Sequence, residues 1–313
     1  MSILAINDLK VQFPTPEGLV KAVNSVDLEL EEGERLGMIG ETGSGKTVLG
    51  LAVVRLLSGA EVEGNIEYRG KKLLLLDEAE MRKLRGREIS VIFQSPNSLN
   101  PVLKVGDQIA ESIRLVGCSN RQDAKKKAVQ AMEAVGMPDA ELWADRYPHQ
   151  FSGGMKERAM IALGLACDPR LIIADEPTKG LDANIKAQVV ELIRDVTTDK
   201  SLLFITHDLS AAAQICDRIA VMYCGEIVEV GRTEEIFANP LHPYTEGLFR
   251  SLPIMGMKAI RGASPSLIDI PSGCRFHPRC DRPCENCAKA HPPLVEAESS
   301  PGHLMRCFQH DRG

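Results

Sequence analysis

Apolar residues along the chain follow two rhythms, one of period two and one nearer period four. Over 3–30, in ILAINDLKVQF and VKAVNSVDLEL, they alternate or cluster as in strands, and Pro14, Pro16 and Gly18 mark a turn between the runs. An antiparallel pair is predicted there. A short apolar run at 36–39 reads as a buried strand, followed by a glycine-rich turn and an apolar helix over 48–57. VEGNIEYRGKKLLLLD at 62–77 reads as strands around a turn, 79–87 as a basic, solvated helix, and 89–93 as another buried strand. From 105 the spacing turns helical: Val105, Ile109 and Ile113 share one face, and Ala124, Ala128, Ala131 and Val135 another, with the basic run 121–127 facing solvent. Ser152 stands as N-cap to an apolar helix running to 166. Apolar strands follow at 171–174 and 202–205, then a hairpin turning near Gly225, and a short helix capped by Thr233 and stopped by Pro240.

Chemistry concentrates where these elements end. RLGMIGETGSGKTVLGLA (35–52) carries the spacing G-x-x-x-x-G-K-[ST] between a strand and a helix, which is a phosphate-binding loop. Gly40, Gly43 and Gly45 let the backbone fold around a phosphate through Glu41, Thr42 and Ser44, and the helix N-terminus behind adds its positive end. Lys46 is placed to reach the β/γ-phosphates and the Thr47 hydroxyl to ligate Mg²⁺. Gln94 closes the 89–93 strand, at the end where open α/β sheets hold ligands. Ser152, Gly153 and Gly154 form a second helix terminus fit for an anion, although SGG before a helix is also ordinary capping. LIIADEPTKGLD (171–182) ends its strand in Asp175 and Glu176, one carboxylate to hold Mg²⁺ through its shell and the next to polarise a water. The 202–205 strand ends in Thr206 and His207, the latter a candidate functional imidazole. Phe13, on the first sheet, either stacks on an adenine or packs as a core aromatic.

Composition narrows the class. The chain has 313 residues, 44% hydrophobic and 26% charged, with a formal net charge of -6. That is ordinary for a soluble globular protein and long enough for two or more subdomains. The negative balance gives no bulk attraction to nucleic acid. No apolar run approaches the ~18 residues of a membrane span. The first residues, MSILAINDLKVQF, lack the pattern of a signal peptide, so a cytoplasmic protein is expected.

In this order GETGSGKT, Gln94, FSGGM, LIIADE, GLD and His207 resemble the Walker A, Q-loop, signature, Walker B, D-loop and H-loop motifs of ABC-transporter ATPases over 3–250. VQFPTPEGLVKAVNSVDL, FQSPNSLNP, YPHQFSGGM, HPYTEGL and GCRFHPRC resemble in particular the ATP-binding subunits of oligopeptide, dipeptide and nickel importers. The resemblance implies an α/β fold with a P-loop NTPase (RecA-like) core, an antiparallel β subdomain, a helical subdomain near 98–160, a linker over 251–273 and a Cys-rich extension over 274–313. It implies head-to-tail pairing with a paralogous ATPase or a second copy. ATP would lie between one subunit's loop (40–47) and the partner's Ser152–Gly154, with Asp182 of the D-loop at the same seam. Glu176 would be the general base, His207 would stabilise and sense the γ-phosphate, and Gln94 would contact Mg²⁺ or water. The implied partners are two permease subunits, met near 95–101 and the 105–150 helices, and an extracytoplasmic substrate-binding protein. The implied place is the cytoplasmic face of the membrane, with no nucleic acid. A soluble ABC ATPase of repair or translation is the alternative, but such chains carry long coiled-coil insertions or two cassettes, and this one carries neither.

The cysteine tail is a separate question. Cys274, Cys280, Cys284, Cys287 and Cys307 crowd the last forty residues. Spacing alone leaves free thiols, a zinc site shared with His277, His291 or His303, and an iron–sulfur cluster all open. The resemblance implies a 4Fe-4S cluster on Cys274, Cys280, Cys287 and Cys307, with Cys284 surplus.

Overall fold

The computed structural model describes residues 2–93, 98–252, 256–298 and 300–309. They form, in chain order, β1 (Ser2–Thr15), β2 (Gly18–Glu31), β3 (Arg35–Ile39), α1 (Lys46–Val53), β4 (Glu61–Tyr68) and β5 (Lys71–Lys72). Next come α2 (Glu78–Leu84), β6 (Ile89–Ile92), α3 (Val105–Leu115), α4 (Arg121–Ala134), α5 (Ala140–Ala144), α6 (Gly153–Leu165), β7 (Leu171–Asp175), α7 (Ala183–Val196) and β8 (Ser201–Thr206). The chain closes with α8 (Leu209–Ile215), β9 (Arg218–Tyr223), β10 (Glu226–Arg232), α9 (Thr233–Ala238), α10 (Pro243–Arg250), β11 (Val295–Ala297) and β12 (Ser300–Met305). It divides into two compact units, 1–74 with 205–313, and 75–204.

In the first unit β1 and β2 pair antiparallel across the turn at Pro16 and Glu17, as their alternation predicts. Strict alternation breaks where Asp8 and Ser25 take left-handed φ of 45° and 49° and the register shifts between Ile6 and Leu9. β4 adds to β1 and the two-residue β5 to β4, giving the order β2-β1-β4-β5. The apolar run 73–76 does not continue as a strand. Leu73–Leu75 is a turn of 3-10 helix that buries Leu73 and leaves Leu75 79% exposed, because its side chains do not alternate. The unit's second sheet runs β11-β12-β10-β9-β3. β3 lies parallel to β9, with Leu36, Met38 and Ile39 fully buried, as a strand covered on both faces requires. β9 turns into β10 through Cys224 and Gly225, both at positive φ (48° and 79°), the geometry of a tight hairpin.

The 251–273 stretch is no free linker where it is described. Lys21 N–H donates to the Leu267 carbonyl at 2.9 Å, and Ile260 lies against Gly247. The Cys-rich residues join the same unit: β12 pairs with β10, Glu229 opposite Met305. Two buried carboxylates on β10 anchor them. Glu229, fully buried, meets His303 Nε2 at 2.8 Å and accepts the N–H groups of Leu241 (2.7 Å) and His242 (3.0 Å). Glu226 meets Arg275 Nε at 3.2 Å and His291 Nε2 at 2.6 Å.

In the second unit β8, β7 and β6 lie side by side, β6 and β7 parallel, and β7 is buried along its whole length. α3, α4, α5 and α6 pack on one another. The expected faces form: Val105, Ile109 and Ile113 are buried on α3. On α4 the inward set is Ala124, Ala128 and Met132, so Met132 takes the inward place expected of Ala131. Each large aliphatic side chain so buried contributes about 1.5–3 kcal/mol.

Candidate functional site

The phosphate loop is built by close approach. Gly40 and Gly45 have φ of 151° and 108°, and a Cβ at either would lie 2.1 Å from the Met222 carbonyl oxygen or 2.2 Å from that of Ala22. Only glycine lets the loop press against both neighbours. Gly225 N–H donates to the Ser44 carbonyl (2.9 Å) and Asn24 N–H to the Gly225 carbonyl (2.7 Å), tying the loop to the β9–β10 turn and to β2. Lys46 is buried, and its ammonium donates to the carbonyls of Gly40 (2.9 Å) and Glu41 (2.8 Å) and to Ser44 Oγ (3.2 Å). Thr47 is half-buried on the first turn of α1, while Thr42 and Gly43 are exposed at the loop's tip. α1 ends at Val53 rather than at 57, since Arg55 turns to φ 54° and its guanidinium donates to the Leu73 carbonyl at 3.1 Å. Phe13 is half-buried on β1, opposite Val20, and is no core residue.

Glu41 carries contacts that sequence reading missed. Its N–H donates to Tyr244 Oη at 2.8 Å, and its carboxylate accepts from Arg279 Nη1 and Nη2 at 2.9 and 3.0 Å and from the Ser264 hydroxyl. Burial works against ionisation of this carboxyl, but the hydrogen bonds from Arg279 and Ser264 and the charges of Arg279 and Lys46 outweigh it. They hold Glu41 below the usual carboxylate range. No signal in the sequence points to these contacts: HPYTEGL and GCRFHPRC, which hold Tyr244 and Arg279, serve only as marks of the family resemblance.

In the second unit Ser152 caps α6, accepting the Met155 N–H at 3.3 Å, with Gly153 and Gly154 opening the helix as the sequence predicts. A Cβ on Gly153 would meet nothing within 4 Å, so that terminus is open. Asp175 ends β7, and Glu176 follows at φ 50°, both nearly buried. A left-handed glutamate is strained backbone, of the kind that collects at working sites. Asp182 caps α7, accepting the N–H groups of Asn184 and Ile185 at 3.1 Å. The strand before Gln94 stops at Ile92 and leaves Phe93 37% exposed; Gln94 itself and 95–97 of the adjoining loop lie outside the described residues. In the first unit His207 follows β8, exposed, and Asp208 caps α8. Thr233 is not the cap of α9. Its hydroxyl donates to the Cys216 carbonyl at 2.7 Å, and Arg232 holds the cap position.

The metal expectation for the tail fails. Among the described residues no three His, Cys, Asp or Glu side chains converge as metal ligands. Cys274, Cys280, Cys287 and Cys307 are instead buried thiols, and burial pushes them up, Cys274 to about 12 and Cys287 to about 11. Their packing is of another kind: Cys274 N–H donates to the Cys287 carbonyl at 2.8 Å. The sulfurs of Cys284 and Cys287 lie 3.2 Å apart. The 4Fe-4S cluster, and zinc with it, is set aside.

A strand, a loop that requires glycine at 40 and 45, and a buried lysine thus sit in a mixed α/β chain with two further strands that end in Asp-Glu and Thr-His. The chain belongs to the ABC transporter family, whose model matches residues 23–179. The model for the oligopeptide/dipeptide transporter C-terminal region matches 228–287, the part that holds Glu229, Tyr244 and Arg279. Its relatives include a putative peptide import ATP-binding protein of Brucella melitensis, 43% identical over 98% of this chain and 97% of that one. The oligopeptide transport ATP-binding protein AppD of Bacillus subtilis is 40% identical over 99% and 97%, and OppD of Escherichia coli 41% over 98% and 93%. Among solved structures, a dimeric ATP-binding cassette in a post-hydrolysis state with ADP and phosphate matches with a TM-score of 0.66 at 26% identity. It spans 74% of this chain and 98% of that one. The relatives' names describe ATP-binding proteins and give no support to an iron–sulfur group.

Proposed function

We propose that this protein is the ATP-hydrolysing subunit that powers a membrane importer of di- or oligopeptides. One observation carries the reading: a lysine-bearing phosphate loop that requires glycine at 40 and 45, in a chain that matches peptide-import ATP-binding proteins end to end. Peptides are favoured over a nickel-type cargo because the relatives' names speak of peptides. No helix among the described residues is long and apolar enough to cross a membrane. In this reading the chain is a peripheral subunit on the cytoplasmic face, with two permease subunits supplying the path and an extracytoplasmic binding protein delivering the cargo.

The donors fit a nucleotide. The loop's backbone N–H groups and the Lys46 ammonium hold the phosphates, and Phe13 contacts the adenine. Thr47 and Asp175, together with Gln94, would supply the oxygens for Mg²⁺, which would neutralise phosphate charge. Glu176 accepts the proton of the attacking water, and His207 donates to the γ-phosphate oxygen that gains charge. Ser152, Gly153 and Gly154 of a partner cassette, a paralogue or a second copy, present a helix terminus to the same phosphate, and Asp182 lines that seam. Catalysis is positioning and electrostatic stabilisation. The test is Glu176→Gln in the full chain: ATP binding persists, turnover stops, and cassettes accumulate as ATP-held pairs. Ordinary turnover by that variant refutes the assignment.

A further inference from the structure

The C-terminal region reaches the phosphate loop at Glu41, by backbone and side chain together. Glu41 donates its N–H to Tyr244 Oη at 2.8 Å, and its carboxylate accepts from Arg279 Nη1 on Oε2 (2.9 Å) and Nη2 on Oε1 (3.0 Å), a two-pronged ion pair, with the Ser264 hydroxyl also donating to Oε2. Arg279 is itself immobilised. It is 6% exposed, its Nε donates to the Arg261 carbonyl at 3.0 Å, and its guanidinium lies 5.7 Å from the Tyr223 ring centroid and 6.0 Å from that of Phe276. Tyr244 is fully buried, 4.5 Å from Tyr223 and 5.5 Å from Phe276 by ring centroid. His242, also buried, accepts the Tyr244 N–H on Nδ1 at 3.0 Å and so fixes the start of α10. A surface ion pair needs none of this. A buried, stacked arginine aimed at a loop carboxylate is worth its desolvation only where it holds something in place.

What it holds is one peptide from the groups that receive phosphate. Lys46 donates to the carbonyl of this same Glu41, so moving Glu41 moves a partner of the loop lysine. We propose that the C-terminal region is a brace on the phosphate loop, with Arg279 and Tyr244 as positioning residues that act on nucleotide binding through Glu41. Neither side chain touches the nucleotide. Their part is to order the loop beforehand, so that binding does not bear that entropy. The inference rests on the proposed reading of 40–47 as the ATP loop and adds that 228–287 is part of the nucleotide machinery.

The test is nucleotide affinity and steady-state kinetics of the full chain for Arg279→Ala, Arg279→Lys, Tyr244→Phe, Glu41→Gln and the double variant Arg279→Ala/Glu41→Gln, with ATP as probe. Loss of the brace weakens ATP binding and raises KM by about five- to tenfold while kcat changes less than twofold, a coupling of ordinary size. Arg279→Lys recovers part of the affinity, since it keeps the charge and loses the fork. In the Glu41→Gln background Arg279→Ala adds little, because the two act through one contact. If Arg279→Ala does not fold, Arg279→Lys and Tyr244→Phe carry the same comparison. Unchanged ATP affinity in the folded variants, or a penalty as large in the Glu41→Gln background as without it, overturns the brace. Wild-type protein that binds no ATP refutes instead the reading on which it rests.

Discussion

Glu157 gives the sharpest thermodynamic prediction. It lies on α6, the helix that Ser152 caps, and is 3% exposed. Burial pushes its carboxyl from the ordinary 4.5 up to about 7. The folded chain therefore holds a proton here that the unfolded chain has released. Between those values the folded state binds more protons, so stability falls as pH rises through the window. At about 1.4 kcal/mol per pH unit the full penalty is about 3 kcal/mol, roughly three-quarters of it imposed between pH 5 and 8. Glu157→Gln keeps the shape and removes the titration. Urea unfolding of wild type and variant at both pH values is readable by the single tryptophan, Trp143, which stands edge-on to Phe151 at 5.2 Å in the same unit. The variant's advantage over wild type should grow by about 2–3 kcal/mol from pH 5 to pH 8. An offset that does not change with pH refutes the argument.

Three further outcomes follow from the geometry. Gly45→Ala drives a Cβ to 2.2 Å from the Ala22 carbonyl at φ 108°; it should cost a few kcal/mol in melting and abolish ATP binding by calorimetry. Glu229→Ala leaves His303 and two N–H groups without their buried acceptor, so it should cost about 3 kcal/mol, and limited proteolysis should release the residues after 250 first. Burial pushes His242 down to about 4, so it stays neutral in the fold while the unfolded chain charges below 6.5. Stability from this group is present at neutral pH and is lost as pH falls through that window, and His242→Asn should flatten the acid limb of an unfolding series.

How much of this was legible in the sequence differs by kind of contact. The phosphate loop, the β7 strand ending in Asp175-Glu176 and the Ser152 cap are local devices, set by a few adjacent residues, and the sequence states them openly. The period-two and period-four patterns place β1, β2, α3 and α4 within a few residues. Helix ends were less visible, because Arg55 and Arg232 set them by contacts or backbone turns that spacing does not encode. Long-range chemistry was invisible. Arg279 lies 238 positions from Glu41, and nothing near either one announces the pair. The cysteine tail misled for the converse reason: thiols clustered in sequence invite a metal, yet in the fold they pack as small buried groups while the carboxylates Glu226 and Glu229 do the fastening.

The central claim is that ATP hydrolysis at the 40–47 loop powers passage of peptide through a separate membrane path. Uptake of labelled peptide into proteoliposomes, with the permease, the partner cassette and the binding protein present, measures it directly. ATP-dependent accumulation with the wild-type chain, and none with Glu176→Gln, is the predicted result. Equal accumulation with both chains, or steady hydrolysis by the complete assembly with no peptide inside, would contradict it.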